Sequence, residues 1–387
     1  MSVQVSYKKQ TIFFIVLIFM TLLIVEGIIR TIDPQTNCAF IEHEIFNKYN
    51  YFEKKQLCYE YTTIESDFTS PIRLLIPNQS GEYLNVNSDG FRGEEFNFQD
   101  DDYKIFILGG STLFGFVTNG DEFTIPGILE KKFKENNIDV KIINAGIPGA
   151  YSRAEVFFLE NHILEFSPNM IIMYDGVNDG GHQLYNFIDE EFEKNNFFQN
   201  NNLKYDESGK TGLLSFFARI DYQTGMGLIQ FVKSLLNTSG TNAIDNASTV
   251  NIIDSKNLEN EYFLKAKRLE DNWNKICSIG NDEGFKTINI IQPGLGTSDR
   301  ILSNSEKLIL QTPLPSNQFL NSLNLNSINP QNCHHVFDLR NTFEGLDEVS
   351  VFFDSTHMDN FGNEIVVEKI YEKILPIVLK DIKNQQK

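Results

Sequence analysis

The sequence predicts an α/β fold in which a parallel sheet carries helices on both faces. Five short apolar runs have the length and β-branched content of buried strands: KIFILG (104–109), VKIINA (140–145), MIIMYD (170–175), TINIIQ (287–292) and HVFDL (335–339). Stretches with apolar residues at helical spacing alternate with them. IPGILEKKFKENN follows the first run and AEVFFLENHILEF the second, NEYFLKAKRLEDNWNKICSIG precedes the fourth, and NEIVVEKIYEKILPIVLKDI closes the chain. Strand–helix–strand alternation demands crossover connections, which build parallel sheets buried on both sides. In such sheets functional residues gather beyond the carboxyl ends of the strands.

The composition allows one large domain or two modest ones. The chain has 387 residues, 41% of them hydrophobic and 22% charged, which is ordinary for a folded chain with a sizeable core. Its formal net charge of −19 argues against a nucleic-acid partner, since phosphate backbones need basic surfaces. Four cysteines are too few for a disulfide-built scaffold, and without a CxxC or CxxH pair a structural zinc site is not expected.

Residues Thr11–Ile29, TIFFIVLIFMTLLIVEGII, span about 28 Å as a helix, close to the thickness of a bilayer's hydrocarbon core. Lys8 and Lys9 precede this run and Arg30 follows it, a bias that places the N-terminus inside and the rest of the chain outside the cytoplasm. The run is longer than the apolar region of a cleaved signal peptide and ends in Ile-Ile-Arg rather than small residues, which favours a retained single-pass anchor. Glu26 falls near its outer end, where it reaches interfacial water or pairs with another intramembrane helix. Residues 1–10 then read as a short cytoplasmic tail, 11–29 as the anchor, 30–100 as a juxtamembrane segment and 101–387 as the soluble domain. An Asn-, Phe-, Asp- and Ser-rich insertion at 182–258 interrupts that domain, with helical patches TGLLSFFARI and MGLIQFVKSLLN. It is placed over one rim of the sheet, as a lid or as a packing elaboration. Outside the cytoplasm Cys38 and Cys58 are able to pair, while Cys277 and Cys333 are expected as separate buried thiols. Asn78, Asn237 and Asn246 each begin an Asn-x-Ser triplet, relevant only where the host glycosylates exported proteins.

Four strand ends carry chemistry. The first strand ends in Gly109-Gly110-Ser111-Thr112, where a tight turn into a helix can present the serine hydroxyl beside unpaired helix amides. A phosphate cradle or a plain helix cap are the other readings. The second ends in Asn144-Ala145-Gly146-Ile147-Pro148-Gly149, which offers accessible backbone amides or simply a Pro-Gly turn. The third ends in Asp175-Gly176-Val177-Asn178-Asp179, where Asn178 brings a side-chain amide or makes a turn. Near the C-terminus, Asp354-Ser355-Thr356-His357 places a carboxylate and an imidazole on one side of a helical turn, suited to a base oriented by an acid or to a surface cap. Of the other histidines, His162 sits mid-helix, and His334 and His335 point oppositely in a strand.

Together the four blocks resemble the SGNH (GDSL-type) hydrolase superfamily, over roughly residues 85–375 apart from the insertion. The run NSDGFRGEEF ahead of the first strand is similar to that of membrane-anchored or exported members. The resemblance implies a three-layer α/β/α sandwich, flavodoxin-like, with five parallel strands. It implies Ser111 as nucleophile, Asp354 and His357 as the rest of a triad, and an oxyanion hole from the Ser111 amide, the Gly149 amide (in preference to Gly146) and Asn178. The first block departs from Gly-Asp-Ser-Leu, and Asp175 stands where a small or apolar residue is commoner, which is expected to add negative charge near the site. The implied function is a membrane-anchored serine esterase acting on an O-acyl ester of a surface carbohydrate or lipid, without metal or organic cofactor. Acyl transfer to a sugar hydroxyl by the same site is the alternative, and a non-catalytic glycan-binding or assembly module is another. A nucleotide-binding protein is disfavoured because neither GxxxxGK[ST] nor GxGxxG is present.

Overall fold

The computed structural model describes residues 6–32, 38–67, 72–99, 102–181, 255–311, 315–324 and 333–385. The chain divides into two units, one of residues 1–37 and 201–253, the other of residues 38–200 and 254–387. The described part of the first is α1 (Tyr7–Ile32), a single helix. Its segment Tyr7–Val25 has a mean hydropathy of 2.0, and among the described residues it is the one helix long and apolar enough to cross a bilayer. A signal sequence meets the same test.

In the second unit two short 3-10 turns (Ala39–Glu42 and Glu44–Lys48) lead into α2 (Tyr51–Thr63), started by a capping box in which Asn50 accepts from the Glu53 amide and Glu53 accepts from the Asn50 amide. It continues through β1 (Lys104–Gly109), α3 (Ser111–Phe114), α4 (Ile125–Glu135), β2 (Lys141–Gly146) and α5 (Ser152–Phe158), whose last turns widen and then tighten as far as Phe166. Next come β3 (Met170–Asp175), α6 (Val177–Gly180), α7 (Ser255–Glu283), β4 (Lys286–Ile291), α8 (Asn304–Ile309), α9 (Pro315–Ser322), β5 (His335–Asp338) and α10 (Asn360–Gln385). The five strands form one sheet in the order β2-β1-β3-β4-β5, every neighbouring pair parallel. The predicted five-stranded parallel α/β fold is therefore the observed one. The order reverses between β1 and β3, the switch point at which doubly wound sheets open a crevice.

Alternation along the strands feeds two cores. Phe106, Leu108, Ile143, Ala145, Ile171 and Met173 face one side with Trp273 and Ile276 of α7. Ile105, Ile107, Ile142, Met170, Ile172 and Tyr174 face the other, with Leu129 of α4 and Val366 and Ile370 of α10. Each such buried aliphatic or aromatic side chain contributes roughly 1.5–3 kcal/mol by leaving water. β1 to β4 read as continuous apolar runs because neither face meets solvent, whereas β5 at the sheet edge is partly exposed.

Residues 38–99 belong to the same unit. Phe46, Leu57, Tyr61, Leu75, Leu84 and Val86 make a third core with Phe114, Val117 and Phe353. Arg92, from NSDGFRGEEF, is the hub. Its buried guanidinium donates from Nε to Asp121 Oδ1 (2.8 Å), from Nη1 to the carbonyls of Phe114 and Gly115 (2.7 Å each), and from Nη2 to the Tyr61 hydroxyl (2.7 Å) and Thr118 Oγ1 (3.0 Å). It also bridges Asn144 on the open edge of β2, covering backbone that would otherwise be free to pair with another strand.

Two expectations change. Cys277 and Cys333 are not separate thiols but a disulfide, with Cα atoms 4.9 Å apart. Cys277 lies on the buried face of α7, which crosses the sheet next to the entry into β5, so residues 56 apart in sequence meet. Cys38 and Cys58, left open by sequence, are also bridged. The expected insertion loses its last four residues, since α7 begins at Ser255; its remainder, with both helical patches, Asn237 and Asn246, lies outside the described residues.

Candidate active site

The register aligns Gly109 of β1 with Gly146 of β2 and Tyr174 of β3, so the loops after these strands leave the sheet at one level. Ser111 is the first residue of α3, reached through Gly110 in an extended conformation. A side chain at Gly110 would run into the Asn178 amide, which explains the paired glycines. Behind it, Thr112 Oγ1 accepts a hydrogen bond from Gln292 Nε2 just after β4 (3.2 Å).

His357 Nε2 lies 2.7 Å from Ser111 Oγ, and His357 Nδ1 lies 2.6 Å from Asp354 Oδ2. The Asp354–His357 pair does not ride on a helical turn, as its spacing predicted. It occupies a bend between Phe352 and Met358, which bridge one another, and α10 starts only at Asn360. The bend is closed by Asp354 itself, whose Oδ1 accepts the amides of Thr356 (2.8 Å) and His357 (2.7 Å). Burial alone would raise the Asp354 carboxyl; the His357 charge and hydrogen bond, with these two amides, outweigh it and hold the group below the usual carboxylate range. The imidazole is flanked by Phe116 (ring centroids 4.9 Å apart) and Phe353 (5.9 Å). Neither ring was singled out by the sequence, and Phe353 is backed in turn by Phe40 and Phe46 of the 38–99 segment.

Gly149 sits in a turn with φ of +83°, open to space where a side chain would stand. Its amide meets no acceptor among the described residues. Gly146 is different. It is buried within β2 against Phe114, and its amide is spent on Asn144 Oδ1. Of the two glycines, Gly149 therefore carries the available N–H. Asn178 Nδ2 donates to the Ala150 carbonyl (2.6 Å), which orients the amide and leaves its second hydrogen. Ser111, Gly149, Asn178, Asp354 and His357 thus come from four loops to one edge.

Asp175 departs from expectation. It shares strand parity with Ile171 and Met173, so its side chain enters the core under α7 instead of adding charge to the site. It is buried and accepts from Trp273 Nε1 (2.7 Å). Glu155 and Asp179 join it, equally buried. Burial pushes the Asp175 carboxyl up, and pushes those of Glu155 and Asp179 well up, with Asp175 adding to the rise at both. His334 accepts from the Thr287 amide and His335 is exposed. His162 stacks on Phe91 and Phe158. Among the described residues no group of three or more His, Cys, Asp or Glu side chains is arranged to hold a metal ion.

Fold and site together define a doubly wound α/β protein with a hydrogen-bonded serine–imidazole–carboxylate chain at its switch point. No family model matches the chain, and no curated protein matches it. Solved structures do. The acetyl xylan esterase AlAXEase is similar at 13% identity and a TM-score of 0.37, over 70% of this chain and 99% of that one. TesA is similar at 13% identity and 0.37, over 70% and 98%. Axe2, an acetylxylan esterase from Geobacillus stearothermophilus, is similar at 12% identity and 0.38, over 70% and 94%.

Proposed function

We propose that this chain is a serine esterase that removes an acyl group, acetyl being the simplest, from an O-acyl ester of a surface carbohydrate or lipid, held at a membrane by residues 11–29. The observation that carries the reading is the unbroken chain from Ser111 Oγ through His357 to Asp354, at 2.7 and 2.6 Å. A hydroxyl hydrogen-bonded to an imidazole that is itself oriented by a carboxylate is the arrangement that makes serine a nucleophile.

His357 accepts the Ser111 proton as Oγ attacks the ester carbonyl. Asp354 fixes the tautomer with the proton on Nδ1 and stabilises the imidazolium that forms. The oxyanion is received by the amides of Ser111 and Gly149 and the free hydrogen of the Asn178 amide. His357 then protonates the leaving alkoxide, and water, deprotonated by His357, releases the acid from the acyl-enzyme. The phenylalanines around the imidazole keep bulk water from competing for its hydrogen bonds.

The test is fluorophosphonate labelling of the full-length chain in detergent. We expect labelling in the wild type and none in Ser111→Ala or His357→Ala, with ester turnover falling on the order of 10⁶-fold when the nucleophile is lost. Labelling that survives in Ser111→Ala would remove the assignment. Adding a sugar acceptor to the turnover assay separates hydrolysis from transfer, because a transferase diverts the acyl group from water to the sugar.

A further inference from the structure

The two loops that offer oxyanion donors are tied together by a residue adjacent to one of them. Asp179 follows Asn178 on α6 and is fully buried. Its Oδ1 accepts the Ser152 hydroxyl at 2.5 Å, and the Ser152 amide points at both carboxyl oxygens, at 3.3 and 3.4 Å. Ser152 begins α5, three residues after Gly149. Its hydroxyl oxygen in turn accepts from Asn272 Nδ2 of α7 (2.9 Å). With Asn178 Nδ2 on the Ala150 carbonyl, adjacent residues of one loop grip alternate residues of the other.

Among the described residues no cation neutralises Asp179. Lys265 Nζ reaches the Gly180 carbonyl (3.2 Å), and its ion pair is with Glu261 (2.6 Å). The carboxyls that face Asp179 are those of Glu155 and Asp175, and both carboxyl oxygens of Glu155 lack an N–H or hydroxyl donor among the described residues. Three carboxyls enclosed without a counter-charge are stable only if they share protons. The clasp therefore works by hydrogen bonding and not by charge.

Resting on the reading of Ser111 as nucleophile, we propose that Asp179, acting through Ser152, is a positioning residue that sets the spacing between the Gly149 amide and the Asn178 side-chain amide. An oxyanion hole accelerates only when its donors already stand where charge develops. A shift of the Gly149 turn relative to Asn178 then costs turnover more than binding.

The experiment compares Asp179→Ala, Asp179→Asn and Ser152→Ala in the full-length chain. The readouts are kcat and KM on p-nitrophenyl acetate, the fluorophosphonate labelling rate, thermal midpoint, and hydrogen–deuterium exchange of peptides covering 147–153. Asp179→Ala should lower kcat and labelling rate by about 10- to 100-fold, below the roughly 10²–10³ for losing a donor outright, with KM nearly unchanged. Exchange at 147–153 should quicken. Asp179→Asn keeps an acceptor for Ser152 and should restore kcat to within a few-fold of wild type. A folded Asp179→Ala with wild-type kcat, or an Asp179→Asn as impaired as the alanine variant, would overturn the clasp. If Asp179→Ala does not fold, Ser152→Ala, which removes only the hydroxyl, takes its place in the same comparison. If the wild type fails to label, the nucleophile reading is what has failed, and unchanged exchange at 147–153 in the variant still rejects the clasp.

Discussion

Two sets of carboxyl groups in the same unit have opposite affinities for a proton. Asp354 is held below the usual range because it faces an imidazole and two backbone amides. Glu155, Asp175 and Asp179 are raised because burial dominates, with no ion pair among the described residues; Asp175 adds to the rise at the other two, while hydrogen bonds from Glu155 and Trp273 restrain its own. Residue type does not set the role; the neighbours do. On the proposed reading, the first environment keeps a charge ready to stabilise an imidazolium, and the second keeps protons in place for the proposed clasp between loops.

The largest expected effect breaks the charged side. Asp354→Asn preserves the shape of the bend but loses the negative charge and the tautomer it enforces. Steady-state turnover should fall on the order of 10⁴-fold, the scale of that change in other triads. A loss below about tenfold would show that His357 needs no carboxylate. Next comes Asn178, which borders both environments. Asn178→Ala removes a proposed oxyanion donor and should cost about 10²–10³ in kcat; an unchanged kcat would remove that role from Asn178.

On the protonated side, Trp273→Phe strips Asp175 of the N–H donor it has among the described residues. Leaving a buried acceptor unsatisfied costs about 1–3 kcal/mol, read as a lower midpoint in chemical unfolding, whereas turnover should change little. The smallest effect is the dependence of stability on pH. A carboxyl whose folded pKa is raised contributes stability that is present below its unfolded value, near 4, and lost as pH climbs towards the folded value. Asp354 acts in the reverse sense, its contribution being present above its unfolded value and lost as pH falls through the lowered one. The thermal midpoint should therefore decline as pH rises above about 4, and Glu155→Gln should flatten that decline. Equal slopes in the two proteins would assign it to the general acidity of the chain instead.

Much of this architecture was legible in the sequence. The central strands announce themselves because burial on both faces demands unbroken apolar runs, and Ser111, Gly149 and Asn178 because they follow directly on those runs. Parity along MIIMYD already places Asp175 beside Ile171 and Met173, so its direction was readable, though Trp273 above it was not. The Cys277–Cys333 bridge was hidden because helix packing across a sheet leaves no mark in local sequence. The Asp354–His357 bend was misread as helical because a spacing of three residues does not distinguish a helix from a turn closed by its own carboxylate.

Arg92 has a consequence for where this molecule begins. It clamps the carbonyls of Phe114 and Gly115, at the far end of the short helix that starts with Ser111, and it is itself enclosed by Tyr61 and the 38–99 segment. A version trimmed to start at the first central strand would look complete as a sheet with its helices. It would nonetheless lack the Arg92 clamp on the helix that starts with Ser111 and the Phe40 and Phe46 rings that back Phe353. The stretch that the sequence presents as a juxtamembrane segment is therefore, from Cys38 onward, part of the same folded unit as Ser111 and His357.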